Sequence, residues 1–323
     1  MRASRWSVLV ALCLFIASDL HAGQRRIDVA LGGFAFGPDT QTLNQGDQVT
    51  WVWVPSAGTH TVTNGTNPDP GIDPNEGSIF DSGFLFANPS AFSWKADRTG
   101  NVPFFCNPHF SFGMTGTLQI SPPGTVAVSS FRITEVQYNE AAGHDRIEIA
   151  NLGGDVGDLG RYRISINGTS SSIVPLNSAI VLSGTPPGRV VIHTNEGTAG
   201  SVANNMFIAV GDLPTTGSIA LYVPNTKSGT SLADATQIVD FVQWGAGNQP
   251  MAATAVAAGV WPAAGEFVDP VPVSGNYDTV FCGAESDHGK SFWNVATPNF
   301  RSQPLCATPA HASSWGRIKL LYR

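Results

Sequence analysis

The sequence predicts an all-β protein made of two β-sandwiches, the first of Greek-key type. Three observations carry that prediction. Charged residues are only 13% of the 323, while Gly (35) and Pro (22) are plentiful. Long helices need Glu, Lys and Arg on their exposed faces, whereas short strands joined by turns do not. Past the first 25 residues no stretch of helical period stands out. Instead, β-branched and aromatic runs recur between Gly, Pro, Asn and Asp. Alternation is plain in QVTWVWV, where Val49, Trp51 and Trp53 point one way and Thr50, Val52 and Val54 the other.

Taken in chain order, residues 1–22 have the pattern of a secretory leader. Arg2 and Arg5 precede an apolar run, Trp6 to Ala17, that is too short to span a bilayer comfortably; Ala22 suits cleavage before Gly23. An uncleaved anchor is the alternative. Cys13 lacks a lipoprotein setting, because bulky Leu12 precedes it and the apolar run continues past it. Without the leader the chain keeps 15 of its 17 Lys+Arg and 23 of its 24 Asp+Glu, a net charge of −8. An acidic exported protein is ill suited to nucleic acid.

Residues 24–121 form the first predicted domain. Its strands read as RIDVALGGFAF, DQVTWVWV, HTVTN, AFSWKA, VPFFC and GTLQI, a spacing that suits a Greek-key sandwich. SPPGTV then breaks the pattern, so residues 122–127 read as a linker. Residues 128–306 resume it with SFRITEVQYN, DRIEIANLG, LGRYRISIN, SAIVLSG, RVVIHT, GSIALYV and TQIVDFVQWG, again an antiparallel sandwich. GTAGSVANNMF and AATAVAAGVWPAAG read as loops or short helices. Residues 307–323 form a basic, aromatic tail, either a sorting or surface-attachment signal or a docked end.

The chemistry concentrates in CNPHFSFGM, where Cys106 ends a strand, Asn107 and Pro108 turn the chain, and His109 and Met114 follow in the loop. His60 is the other histidine of the first domain. Two imidazoles, a thiolate and a thioether are the donors of a blue-copper electron-transfer centre: the sulfurs suit Cu(I), and imidazole suits both oxidation states. Zinc more often takes further Cys or His and no Met. A copper oxidase would add a second centre, commonly through H-x-H pairs, and the sequence has none. A hidden one would require His144, His193 and His288 to converge. No G-x-S-x-G, P-loop or strand-linked G-x-G-x-x-G is present, so an enzyme is not expected and no catalytic residue is assigned. Asp69, Asp73 and Glu76, in NPDPGIDPNEGS, fit no calcium-loop spacing and read as a solvated loop.

These features resemble the cupredoxins of the plastocyanin and pseudoazurin type. C-x-x-H-x-x-x-x-M, GTHTVTN and GDQVTWVW match that pattern, as does the run from FDSGFLF into the ligand loop, over nearly all of residues 28–120. The resemblance implies one type-1 copper ion held by His60, Cys106, His109 and Met114, with Met114 axial and His109 the electron doorway. It departs at Thr61, where the family often has an Asn that helps hold the thiolate, and at Phe104 and Phe105, which bring no hydroxyl.

Downstream, ITEVQYN, DRIEIANLG, DLGRYRI, VDFVQWG and WNVATPNFRSQ resemble a lamin-tail domain, an immunoglobulin-like sandwich, over about residues 129–303. That resemblance implies a binding or scaffolding module. Glu135, Glu148 and Asp158 read there as strand-end and turn residues. With Cys106 taken by the metal, Cys282 and Cys306, 24 positions apart, are expected to pair. Together these readings describe an exported electron carrier, in the periplasm, at the cell surface or outside the cell. It would serve a redox partner and use its second domain to dock on a surface or polymer. The alternatives are a structural or adhesive protein with a fold-stabilising copper, and a copper storage or delivery protein.

Overall fold

The computed structural model describes residues 23–302 apart from 31, 54–58, 86–89, 139–144, 169–172, 176–179, 195, 197–199, 203, 225–231 and 273–276. The leader, His144, Cys306 and the tail with His311 lie outside the described residues. The protein is all-β.

The first half contains β1 (Gln24–Val29), β2 (Phe36–Gly37), β3 (Thr40–Asn44), β4 (Gln48–Trp53), β5 (Thr63–Asn64), β6 (Ala91–Lys95), β7 (Gly100–Phe105) and β8 (Thr115–Ser121). Two sheets face each other, in the orders β2-β1-β4-β6 and β3-β8-β7-β5. β1 runs parallel to β4, and β3 parallel to β8. The remaining pairings of the two sheets are antiparallel. Between the sheets, Ile27, Leu43, Val49, Trp51, Trp53, Phe104, Leu118 and Ile120 form one buried cluster that also holds Cys106 and Met114. β3 was not anticipated from the sequence: in TQTLN only Leu43 is apolar, so its period is invisible.

β4 is buried on both faces. Val49, Trp51 and Trp53 enter the core cluster as the alternation requires, yet Thr50 and Val52 on the opposite face are buried as well. The second half of the chain covers that face. Gln48 Nε2 donates to Thr236 O, Arg161 Nη1 donates to Trp53 O at 3.4 Å, and a shared cavity is walled by Trp94 and Lys95 on one side and Ile238, Val239 and Val260 on the other. The ion pairs Arg25–Asp155 (2.7 Å) and Arg26–Asp158 (2.9 Å) close the junction.

The second half contributes β9 (Phe131–Gln137), β10 (Arg146–Asn151), β11 (Gly157–Asp158), β12 (Arg163–Ile166), β13 (Ile173–Pro175), β14 (Val181–Leu182), β15 (Arg189–His193), β16 (Gly200–Val202), β17 (Asn205–Phe207), β18 (Gly217–Tyr222), β19 (Ile238–Trp244), β20 (Asp278–Phe281) and β21 (Trp293–Ala296). They build a seven-stranded sheet, β16-β17-β15-β10-β9-β20-β21, a four-stranded sheet, β13-β12-β18-β19, and the short pair β11-β14. A large apolar cluster includes Phe131, Ile133, Ile147, Ile149, Ile164, Leu221, Phe241 and Trp244. GTAGSVANNMF, expected as loop or helix, instead carries the β16–β17 pair, and β17 runs parallel to β15. The Ala-rich segment does hold a short helix, α1 (Ala252–Ala257).

Glu135 and Glu148 are not strand-end residues; both lie within strands and are fully buried. A segment after β21 lies over them, since Glu135 Oε1 accepts the Asn299 N–H at 2.8 Å and Glu148 Oε2 the Arg301 N–H at 2.6 Å. Arg189 pairs with Glu148. Asp158 does act as a turn residue, its Oδ1 accepting the N–H groups of Gly160 and Ile180. Burial, aided by the neighbouring Asp278, pushes the Glu135 carboxyl up to about 9 from its ordinary 4.5. Because the folded value lies above the unfolded one, this group's stabilisation is complete below pH 4.5 and is lost as pH rises toward 9. Glu135→Gln is therefore expected to flatten the decline in stability over that window, as read from urea midpoints at stepped pH; an unchanged slope would refute the assignment.

Candidate metal centre

Each donor is placed by a different local device. His60 precedes β5 and is locked by reciprocal backbone hydrogen bonds with Leu85, His60 N to Leu85 O at 3.4 Å and Leu85 N to His60 O at 2.7 Å. Cys106 follows β7. His109 lies in a 3-10 turn, Asn107–Phe112, opened by Pro108 and closed by Gly113 at φ 80°, a left-handed value that suits glycine. Met114 precedes β8. The Cys106 N–H donates to Met114 O at 3.0 Å, and the Met114 N–H to His109 O at 3.3 Å, which folds the loop back on itself.

The result is a compact group of donors. Cys106 Sγ lies 3.6 Å from His60 Nδ1 and 3.3 Å from His109 Nδ1, and the two nitrogens are 3.2 Å apart. A triangle with these edges has a centre about 2 Å from each corner, a metal–nitrogen bond length. An ion at that centre would be within bonding distance of all three donors. The site therefore fits a soft metal ion, and Met114, 1% exposed in the same core cluster as Cys106, adds the thioether. Among the described residues this is the one group of three or more His, Cys, Asp and Glu able to hold a metal.

The protonation states follow from burial. Desolvation first, and His109 second, push the His60 imidazole down to about 4, so at neutral pH it is an uncharged donor. Burial pushes the Cys106 thiol up, so the metal has to displace its proton.

Thr61 resolves the departure noted in the sequence. Its backbone N–H donates to Cys106 Sγ at 3.4 Å, and its hydroxyl accepts the Asn107 N–H at 2.8 Å. The threonine thus ties the His60 segment to the ligand loop and gives the sulfur a hydrogen bond. Thr61→Val keeps the backbone donor but strands the Asn107 N–H. We expect a loss of about 1–3 kcal/mol in urea unfolding, with Thr61→Ser close to unchanged; equal losses in both would refute the hydroxyl's role. Phe104 and Phe105, which lead into Cys106, are both essentially unexposed, and Phe104 shares the buried cluster of Cys106 and Met114.

Sequence reasoning did not single out three aromatic neighbours of the site. Phe34 stacks on His109 with centroids 4.3 Å apart at 26°, and Phe112 stacks on Phe34 at 5.0 Å. Trp53 lies against His60, with ring centroids 5.3 Å apart. Phe34 sits in a Gly-rich turn, where an isolated aromatic gives no periodic signal. The other site expectations separate cleanly. Asp73 accepts from Thr66 and Asn75, and Asp69 from Gly71, which makes them turn residues. His193 bonds Glu196 and Asn205, while His288 lies near Asp240.

The first half of the chain is similar in sequence to known proteins. Residues 24–121 match the family described as copper binding proteins, plastocyanin/azurin family. Plastocyanin of Ginkgo biloba is 31% identical over 101 residues, covering 29% of this chain and 100% of the relative. Plastocyanin of Dryopteris crassirhizoma is 30% identical over 93 residues, 28% of this chain and 91% of the relative. Halocyanin of Natronomonas pharaonis is 29% identical over 102 residues, 30% and 58%. The solved oxidized form of the Dryopteris plastocyanin aligns at 25% identity over 30% of this chain and 99% of that one, with a TM-score of 0.25. Through residues 24–121, the chain belongs to the plastocyanin/azurin family of copper-binding proteins, whose members bind one copper ion.

Proposed function

We propose that this protein is an exported single-electron carrier, and that His60, Cys106, His109 and Met114 hold its copper ion. The observation that carries the reading is the triangle of Sγ and two Nδ1 atoms about a common point. The copper supplies a Cu(II)/Cu(I) couple when bound. The chain supplies the rest. The loop's backbone bonds and the Leu85 clasp on His60 hold the donors in place, which keeps reorganisation between the two states small. Phe104, buried in the same cluster as Cys106 and Met114, helps exclude water. His109 is partly exposed beside the exposed rings of Phe34 and Phe112, so the electron leaves through its imidazole toward a redox partner. That apolar rim suits a brief, weak contact.

The remaining parts of the proposal concern the whole chain. Residues 1–22 act as a leader removed on export, and no helix among the described residues is long and apolar enough to cross a membrane. Residues 128–306 form a lamin-tail-like, immunoglobulin-like module that docks the carrier to a surface or polymer, residues 122–127 link it to the copper-binding domain, and residues 307–323 are a separate tail. Cys282 pairs with Cys306; the disulfide-bonded state of Cys282, which leaves Cys106 as the free thiol among the described residues, supports this. The test of the carrier reading is the full chain loaded with copper. An intense orange-red absorption and a reversible one-electron wave are expected, and copper that binds without cycling would point to storage or fold stabilisation.

A further inference from the structure

The first described residue occupies an unusual place. The Gly23 N–H donates to Asp47 Oδ1 at 2.9 Å. Asp47 is fully buried in the turn between β3 and β4. Its other oxygen accepts the Asn44 N–H at 2.6 Å and Asn44 Nδ2 at 3.0 Å. Among the described residues no cation pairs with the carboxylate directly. Arg25 acts on it only at a distance, because its guanidinium is bonded to Thr42 O, Asp155 and Ala127 O. Burying a carboxylate among amide donors alone is costly, and burial here pushes the Asp47 carboxyl above its ordinary range despite those hydrogen bonds.

Gly23 itself is tightly held. Its carbonyl accepts the Gln48 N–H at 2.8 Å. A Cβ at this position would meet Val128 Cγ2 at 2.0 Å and Asp47 Oδ1 at 2.9 Å, so only glycine fits between the two halves. The network then continues into the linker. The Asn44 side-chain carbonyl accepts the N–H groups of Thr125 and Val126 at 3.0 and 2.9 Å, and its amide donates to Val126 O at 2.9 Å. Gly23, Asp47, Asn44 and residues 125–126 thus form one connected unit at the seam.

We propose that cleavage between Ala22 and Gly23 turns this amide into an ammonium ion that pairs with Asp47, so that removal of the leader locks the seam between the two halves. The proposal rests on the reading of residues 1–22 as a cleaved leader. Hydrolysis by a leader-cleaving peptidase breaks the Ala22–Gly23 C–N bond. Water gives its hydroxyl to the Ala22 acyl carbon and a proton to the Gly23 nitrogen. An α-amine with a pKa of about 8 carries a second added proton at neutral pH. The neutral donor becomes a full positive charge at a position the fold already fixes, and a charge-assisted hydrogen bond is roughly twice as strong as a neutral one. The uncleaved chain lacks this counter-charge, so the lock closes only after the leader has gone.

The test uses the full chain without residues 1–21 or 1–22, in three forms: free Gly23, Nα-acetylated Gly23, and Ala22 retained before Gly23. Each is made with Asp47 and with Asp47→Asn. The free-Gly23 form is expected to unfold several degrees above both others, and the gap should close in Asp47→Asn. Equal thermal midpoints for the free and acetylated forms with Asp47 in place would overturn the pairing. Should Asp47→Asn not fold, an NMR titration of the Gly23 amine in the unsubstituted chain decides: a raised pKa supports the pair, and an ordinary one overturns it. Mass analysis of the exported protein separates the two premises. A first residue other than Gly23 would overturn the processing step, whatever the outcome for the pair.

Discussion

Cys106→Ser abolishes both the orange-red absorption and the one-electron wave of the copper-loaded chain while leaving the apo-protein folded. The colour of such a centre arises from charge transfer out of a thiolate, and no other sulfur among the described residues is a free thiol. A serine hydroxyl is nearly isosteric but stays protonated at neutral pH and is a hard donor. The site would keep His60, His109 and Met114, a set that can still bind Cu(I) without giving colour. Cys106 has no solvent exposure and accepts one N–H···S bond from Thr61, which a serine oxygen can also accept. The stability cost to the apo-protein is therefore about 1 kcal/mol or less. Absorption spectra, voltammetry and circular dichroism on the same sample check all three parts. Retained colour in Cys106→Ser would remove Cys106 from the ligand set, and with it the carrier reading.

Asp240→Ala is the substitution expected to cost the fold most. Asp240, in β19, is 1% exposed; its Oδ1 lies 3.1 Å from Arg132 Nε in β9, and its Oδ2 accepts the Ile133 N–H at 2.7 Å. It ties the two large sheets of the second half together. Removing the carboxylate leaves the Arg132 guanidinium buried with only the carbonyls of Glu285 and Asp287, and orphans the Ile133 N–H. Breaking one side of a buried pair costs about 3–5 kcal/mol, whereas replacing both partners with apolar residues is often close to neutral. Urea unfolding should show that loss for Asp240→Ala and a much smaller one for Arg132→Leu combined with Asp240→Leu. A single-mutant loss under about 1 kcal/mol would show that the pair does not brace the sheets. His288 sits 3.8 Å from the same oxygen, and burial and Arg132 push its imidazole down to about 3. It therefore stays neutral in the folded chain and leaves the carboxylate to Arg132.

The copper-binding half was legible because its chemistry is local. Cys106, His109 and Met114 fall within nine residues, and His60 was the other histidine available in that half. What escaped notice depends on tertiary context. Thr40–Asn44 shows almost no apolar period because its neighbour β8 supplies most of the apolar side chains of that pair. Phe34 is distant in sequence from the ring it stacks on. Glu135 and Glu148 read as strand-end residues because carboxylates are seldom buried within strands, and nothing in their own strands announces that Asn299 and Arg301 arrive from far downstream to satisfy them. The burial of β4's second face was not legible for the same reason: alternation tells which residues share a face, and says nothing about what will be laid over it.

That double coverage of β4 has a consequence for anyone handling the copper-carrying part as a cassette. A fragment ended at residue 121 would bare Thr50 and Val52 to water, along with the carbonyl of Trp53 that Arg161 now occupies. Such a fragment exposes a strand face that the full chain keeps covered. Keeping the downstream half attached is therefore a sounder engineering route than excising the sandwich that bears the metal loop.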